Sequence, residues 1–161
     1  MKISNIRIDV RLIHGQVAAM WINTLGVTRL MVVDQLACKD EMLKSVLKLA
    51  CPGNVKLSIL SPQKAAQNLL AEKYPDDRIM MVARGPQTLL QLYQEGYHMD
   101  TVNVGNMANS PGTKMIKKSI HVTPEDIACF LALDDLGVKF TAQMYPNEEP
   151  FDFIAAIKRA Q

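Results

Sequence analysis

The stretch "TRLMVVD", residues 28–34, sets four apolar side chains in a row, from Leu30 to Val33. Successive residues of a strand point to opposite faces, so a strand written this way is apolar on both. "RIMMVA", residues 78–83, repeats the pattern. Sheets buried on both faces are the parallel ones, because the helices that connect their strands cover both sides. Outward from 28–34, helix-like segments precede and follow, at about 15–24 and 39–50. Further strands are predicted at 3–9, 55–60, 100–104, 115–122 and 138–143. Further helices are predicted at 62–73, 86–96, 123–136 and about 150–160. Strands alternating with helices imply an α/β fold. The expectation is one domain over residues 1–161, with a doubly wound, mainly parallel sheet of about seven strands and helices on both faces.

The helix starts are well marked. Ser61-Pro62, Gly85-Pro86 and Thr123-Pro124 each put proline in a first turn, where its missing N–H costs nothing. Thr123 with Asp126 reads as a capping box, with Asp in place of the usual Glu or Gln.

Bulk properties exclude several functions. Hydrophobic residues make up 48% and charged residues 21% of the chain, ordinary values for a globular protein. No apolar run is long enough to cross a membrane. "MKISNIRIDV" lacks the features of a secretory signal, which predicts a cytoplasmic location. Cys38, Cys51 and Cys129 have neither even parity nor metal spacing and read as reduced thiols, Cys51 as a buried structural one. The net charge of +2 is too small to suggest nucleic acid. Up to Val33, however, Lys2, Arg7, Arg11 and Arg29 face one acid, Asp9. That excess predicts a local positive surface suited to an acidic protein partner or a phosphate.

In open α/β sheets, ligands bind beyond the carboxyl ends of the strands. The polar residues there are Asp9, Arg11 and His14, then Asp34, Ser61 and Arg84, with Asn103, Gly105 and Asn106 after the fifth strand. The first group is unusual. "RIDVRLIHGQV", residues 7–17, places His14 where the strand gives way to a helix. The positive end of a helix disfavours imidazolium, and its free N–H groups welcome a phosphate. Arg11 can clamp phosphoryl oxygens with two parallel hydrogen bonds, a geometry lysine lacks. Asp9 can fix Arg11 or hold the second ring nitrogen, and the sequence leaves both open. Gly15 lets the backbone approach a phosphoryl group closely.

Other readings stand beside this one. On spacing alone, a histidine at such a turn is more often a cap or a packing residue. His98 reads as a loop residue and His121 as a strand residue near a sheet edge, while Trp21 reads as core. No two of the histidines have zinc spacing, and "GNMANSPGTK" lacks the Gly-Lys-Thr order of a nucleotide phosphate loop. Neither a metal nor a cofactor is called for. Asp34, at the end of "MVVD", would suit a phosphoaspartate receiver domain, although Asn103 and Gly105 stand near the place of the receiver's lysine. A non-catalytic α/β binding module is the other alternative.

The loop "RIDVRLIHGQVAAMW" resembles the phosphorylation loop of the IIB components of the mannose/fructose/sorbose class of the bacterial sugar phosphotransferase system. "VVDQLACKD", "LACPGNVKLSIL" and "DTVNVGNM" extend the resemblance over nearly the whole chain. Val10 departs from the family's usual Asp or Asn, and Gln35-Leu36 from a commonly more acidic loop. The resemblance implies a mainly parallel seven-stranded sheet with an antiparallel edge region. It also implies a protein-Nπ-phosphohistidine–sugar phosphotransferase, with His14 as phosphocarrier at Nδ1 and Arg11 on the phosphate. Asp9, Gly15, Gln16, Asp34 and Arg84 would line the site. The implied partners are a IIA protein or domain as donor, the membrane IIC and IID subunits, and their sugar. The location is cytoplasmic beside the permease, and self-association into a homo-oligomer stays open. "NVGNM" and "RGPQT" look closest to members serving amino sugars such as N-acetylgalactosamine, although the membrane subunits chiefly select the sugar.

Overall fold

The two apolar runs pair with each other. In the computed structural model, which describes residues 1–161, β2 (Arg29–Val33) and β4 (Arg78–Ala83) lie parallel with Met31 opposite Met81. β1 (Lys2–Asp9) sits on the other side of β4, followed by β5 (Thr101–Asn106) and β8 (Lys139–Ala142), while β3 (Lys56–Leu60) closes the far edge. The order is β3-β2-β4-β1-β5-β8, and every pairing in it is parallel.

The helices are α1 (Gly15–Leu25), α2 (Glu41–Ala50), α3 (Pro62–Leu70), α4 (Pro86–Gln94), α5 (Pro124–Asp135) and α6 (Phe153–Ala160). They divide between the faces as the apolar runs require. Leu30, Val32, Met80 and Val82 join a core with Val17, Trp21 and Leu47 of α1 and α2. The intervening Met31, Val33, Ile79 and Met81 join a second core with Leu69, Leu89, Phe130 and Phe153 of the other four helices. Neighbouring residues of one strand therefore enter opposite cores.

One predicted strand needs correction. Residues 115–122 form two short antiparallel strands, β6 (Lys114–Lys117) and β7 (Ile120–Val122), outside the main sheet. The main sheet thus has six strands rather than about seven. The turn falls in the polar run Lys117-Lys118-Ser119 of "MIKKSIHV", with no Gly, Pro or Asn to mark it. The ribbon reaches the sheet through Met107, whose carbonyl accepts from the His121 N–H at 3.0 Å. The predicted helix 39–50 is present and starts two residues later, at Glu41: Asp40 follows a 3₁₀ turn (Ala37–Lys39) and caps α2 by accepting from the N–H groups of Met42 and Leu43.

The chain leaves β1 toward β2 on one side and leaves β5 toward β8 on the other. Connections that diverge in this way open a crevice at the carboxyl ends of the strands. The loops after β1, β2, β4 and β5 meet there.

Candidate functional site

β1 delivers its last residues into this crevice under close constraint. Asp9 is buried, 1% exposed, and its carboxylate accepts from Arg11 through Nε–H and Nη2–H, both at 3.0 Å. The Arg11 backbone N–H donates to the same carboxylate at 3.0 Å. Of the two roles open to Asp9, the geometry favours fixing Arg11. Leu12 then adopts φ 61°, a left-handed conformation that branched or bulky residues seldom take. Its burial in the α1 core and its N–H bond to the Asp9 carbonyl, 2.9 Å, hold it there. Backbone strain of this kind concentrates at functional sites.

The turn ends at His14, the N-cap residue of α1, with an extended backbone (φ −105°, ψ 110°) and no side-chain capping bond. His14, Gly15 and Gln16 are all exposed. No carboxylate occupies the first turn of α1 and no side chain caps it, so its N–H groups are available to an anion. A Cβ built on Gly15 would meet nothing within 4 Å, so the space in front of this helix end is open.

Asp34 and Arg84 meet in a second cluster. Arg84 donates to the Val10 carbonyl at 3.1 Å, tying β4's end to the His14 loop, and lies 3.4 Å from the Asp34 carboxylate. Asp34, 5% exposed, also accepts from the Ala37 N–H at 3.0 Å, capping the 3₁₀ turn. Its carboxylate is thus a structural brace, and no group of three His, Cys, Asp or Glu side chains stands near to hold the magnesium a receiver domain requires. A polar groove of about 340 Å³ runs beyond Arg84, bordered by Val10, Thr88, His121 and Thr123.

Three features escaped the sequence reading. Arg7, expected on a positive surface, is buried and 2% exposed. It lies 3.5 Å from Asp9, donates to the Asn103 side chain and to the Gln143 carbonyl, and sits 5.5 Å from the Trp21 ring. Burial lowers its pKa from the usual arginine value, and Asp9 opposes that shift. The predicted positive surface is dispersed altogether: Lys2 and Arg29 begin β1 and β2 at the amino ends of the strands, which leaves Arg11 as the one exposed member of the four in the His14 loop. The segment after β8 also folds over the loop, where the Met144 carbonyl accepts from Trp21 Nε1–H at 3.0 Å. Trp21 is core, as expected, with this one polar contact. Only the motif "RID" hinted at the buried pair, because alternation puts Arg7 and Asp9 on one face of β1.

The remaining singled-out residues are structural. His98 stacks on Tyr93 with ring centroids 4.1 Å apart. Burial, with Asp126 adding to it, pushes the Cys129 thiol up to about 11. Burial raises Cys51 as well, although that thiol is only partly buried.

Comparison with known proteins shows the family and the fold. The family described as "PTS system sorbose subfamily IIB component" matches residues 3–161. The fructose-specific EIIB component of Bacillus subtilis (strain 168) is 34% identical over 98% of this chain and 97% of its own. The mannose-specific EIIAB component of Escherichia coli (strain K12) is 30% identical over 99% of this chain but 50% of its own length. Among solved structures, the IIBSor domain of the sorbose permease from Klebsiella pneumoniae superposes with a TM-score of 0.93 at 30% identity, covering 100% of this chain and 99% of that one. The chain belongs to the sorbose-subfamily IIB components of the sugar phosphotransferase system. As a IIB component it accepts a phosphoryl group from a IIA protein or domain and passes it to a sugar, working with IIC and IID components.

Proposed function

We propose that His14 is the residue that carries the phosphoryl group, as a protein-Nπ-phosphohistidine–sugar phosphotransferase requires. The observation that carries this reading is an exposed histidine at the uncapped start of α1, two residues past the strained Leu12 and three past an arginine anchored by a buried aspartate. In the first step the P–N bond of the donor's phosphohistidine breaks as a P–N bond to His14 forms, at Nδ1 by the resemblance. The α1 N–H groups face the transferred dianion, Gly15 and Gln16 flank it, and Arg11 supplies the cation. In the second step that P–N bond breaks as a P–O bond to a sugar hydroxyl forms, and the hydroxyl proton passes to the freed ring nitrogen or to water. Phosphoryl transfer of this kind depends chiefly on positioning and charge stabilisation, both supplied here by fixed groups.

Asp9 orients Arg11, while Asp34 and Arg84 brace the loop from the β4 side. The donor is a IIA protein, and the mannose relative, an EIIAB component, supports that pairing. No helix of the protein is long and apolar enough to cross a membrane. By its family role, the reading places it at the cytoplasmic side of a membrane permease, whose IIC and IID subunits hold the sugar. An amino sugar such as N-acetylgalactosamine is the first candidate, from "NVGNM" and "RGPQT".

Incubation with radiolabelled phospho-IIA tests the assignment. The expected product is acid-labile, alkali-stable label on His14, discharged by the matching sugar in the presence of its membrane subunits. Label on Asp34 would show acyl-phosphate chemistry instead, and no label would support a binding module.

A further inference from the structure

We infer that Arg7 is a positioning residue for the transfer: it keeps Asp9 paired, so that Arg11 can exchange that carboxylate for the phosphoryl group on His14. The inference rests on the reading of His14 as carrier.

Asp9 serves two guanidinium groups of opposite freedom. Arg11 holds it with two bonds of 3.0 Å, yet the Arg11 side chain is 33% exposed and its Nη1 hydrogen-bonds nothing in the chain. Arg7 reaches the same carboxylate at 3.5 Å and is enclosed on every side. Its guanidinium is bonded to Asn103 and to the Gln143 carbonyl, and it faces the Trp21 ring. It also fills the space where a Cβ at position 105 would stand, so any residue larger than glycine on β5 at that point must push the guanidinium aside. Arg11 can move, and Arg7 cannot.

A phosphoryl group brings about −1.5 to −2 charges to His14. Arg11 is the nearest cation in sequence and turns toward that charge. In doing so it gives up at least part of its bidentate hold on a carboxylate that water cannot reach. A buried carboxylate left without a partner is strongly unfavourable. Arg7, already within ion-pair distance, removes that obstacle. The buried pair is therefore the fixed half of a two-position device whose moving half is Arg11.

The test displaces Arg7 without altering the loop. Gly105→Ala pushes on the guanidinium from β5, and Asn103→Ala releases it by removing its side-chain acceptor. Each is made in the parent and in Arg11→Ala, with steady-state transfer from phospho-IIA and thermal midpoints measured throughout. In the parent, both variants are expected to lower the maximal transfer rate by about tenfold, a barrier change of about 1.4 kcal/mol, and to leave the KM for the donor unchanged. In the Arg11→Ala background the same substitutions should change nothing further, because no exchange remains to be assisted. Parent rates in folded variants would overturn the inference, as would equal slowing in both backgrounds, which marks simple structural damage. If Gly105→Ala does not fold, Asn103→Ala decides alone. A parent that takes no label on His14 overturns the carrier reading, and this inference with it. A labelled parent with unslowed variants overturns this inference only.

Discussion

Two buried aspartates, at opposite ends of the neighbouring strands β4 and β1, each gather two cations. Asp77, ahead of β4, accepts from Arg29 at 2.7 Å, from Lys56 at 3.1 Å and from the Thr28 hydroxyl at 3.1 Å. Arg29 lies 4.3 Å from the Tyr74 ring, and its Nη1 donates to Ser58 at 2.8 Å. Asp9, at the end of β1, gathers Arg11 and Arg7. The residue types match and the chemistry differs. Around Asp77 a guanidinium nitrogen, Arg29 Nη2, is likewise without a hydrogen-bond partner and the Lys56 side chain is exposed, but Asp77 leads into β4 rather than into a loop that ends in a histidine. Around Asp9 one guanidinium keeps an unengaged nitrogen, next to a loop that ends in an exposed histidine and an open helix start. A charge cluster serves transfer when donors remain free beside a reactive atom; otherwise it is a clasp.

Substitutions can break this comparison. The largest expected effect is at His14: His14→Ala should abolish labelling by phospho-IIA and leave the unfolding free energy within about 0.5 kcal/mol of the parent's, as is usual for exposed positions. His98→Ala and His121→Ala should still take label. Substantial label on His14→Ala would move the carrier elsewhere.

Arg11 comes next. Arg11→Lys keeps the charge but loses the two-pronged geometry, so rapid-quench transfer should slow by about tenfold, with full label at long times. Arg11→Ala should be slower still, because the charge is gone as well. Parent rates for both would make the Asp9 cluster a clasp like the Asp77 one.

Asp77 should answer in stability instead. Asp77→Asn is expected to cost about 1–3 kcal/mol in urea unfolding without changing the transfer rate, since it leaves the partly buried Arg29 and Thr28 donors poorly matched. The pH dependence has a defined sign. Burial acts to raise the Asp77 pKa, but the bonds from Arg29, Lys56 and Thr28 outweigh it and hold the carboxyl below its ordinary value. Its contribution is therefore complete above an unfolded pKa of about 3.9 and fades as pH falls through the lower folded value. The parent should lose stability more steeply than Asp77→Asn below about pH 4. Parallel curves would mean the clasp contributes nothing.

The smallest effect concerns salt. Of the basic residues before Val33, only Arg11 stands beside His14, and Asp9 already offsets its charge. Stopped-flow association with IIA should therefore slow by no more than a few-fold between low and physiological ionic strength. A steeper dependence would show that lysines elsewhere in the chain form the docking face.

Much of this architecture could be read from single segments. "LMVV" and "IMMVA" require cover on both faces, which only flanking helices provide, and the prolines at 62, 86 and 124 mark helix starts the structure keeps. The ribbon at 115–122 was not legible, because the turn in its polar run Lys117-Lys118-Ser119 lacks the Gly, Pro or Asn that usually marks a reversal. Asp40 could have marked the end of one turn and the start of α2, since an aspartate before "EMLKSVL" is an N-cap signal.

The site divides the same way. By itself the sequence determined that a histidine opens the first helix after a strand, with an arginine and an aspartate close before it. Those are local relations, set by spacing along one chain. Only the tertiary structure decided which charges are free. Arg7 and Arg11 are four residues apart and chemically alike, yet packing under Trp21 and against Gly105 immobilises one while the crevice exposes the other. Burial and partnership depend on what β4, β5 and the segment after β8 bring to the loop, and no local pattern in "RIDVRLIHG" encodes those distant neighbours.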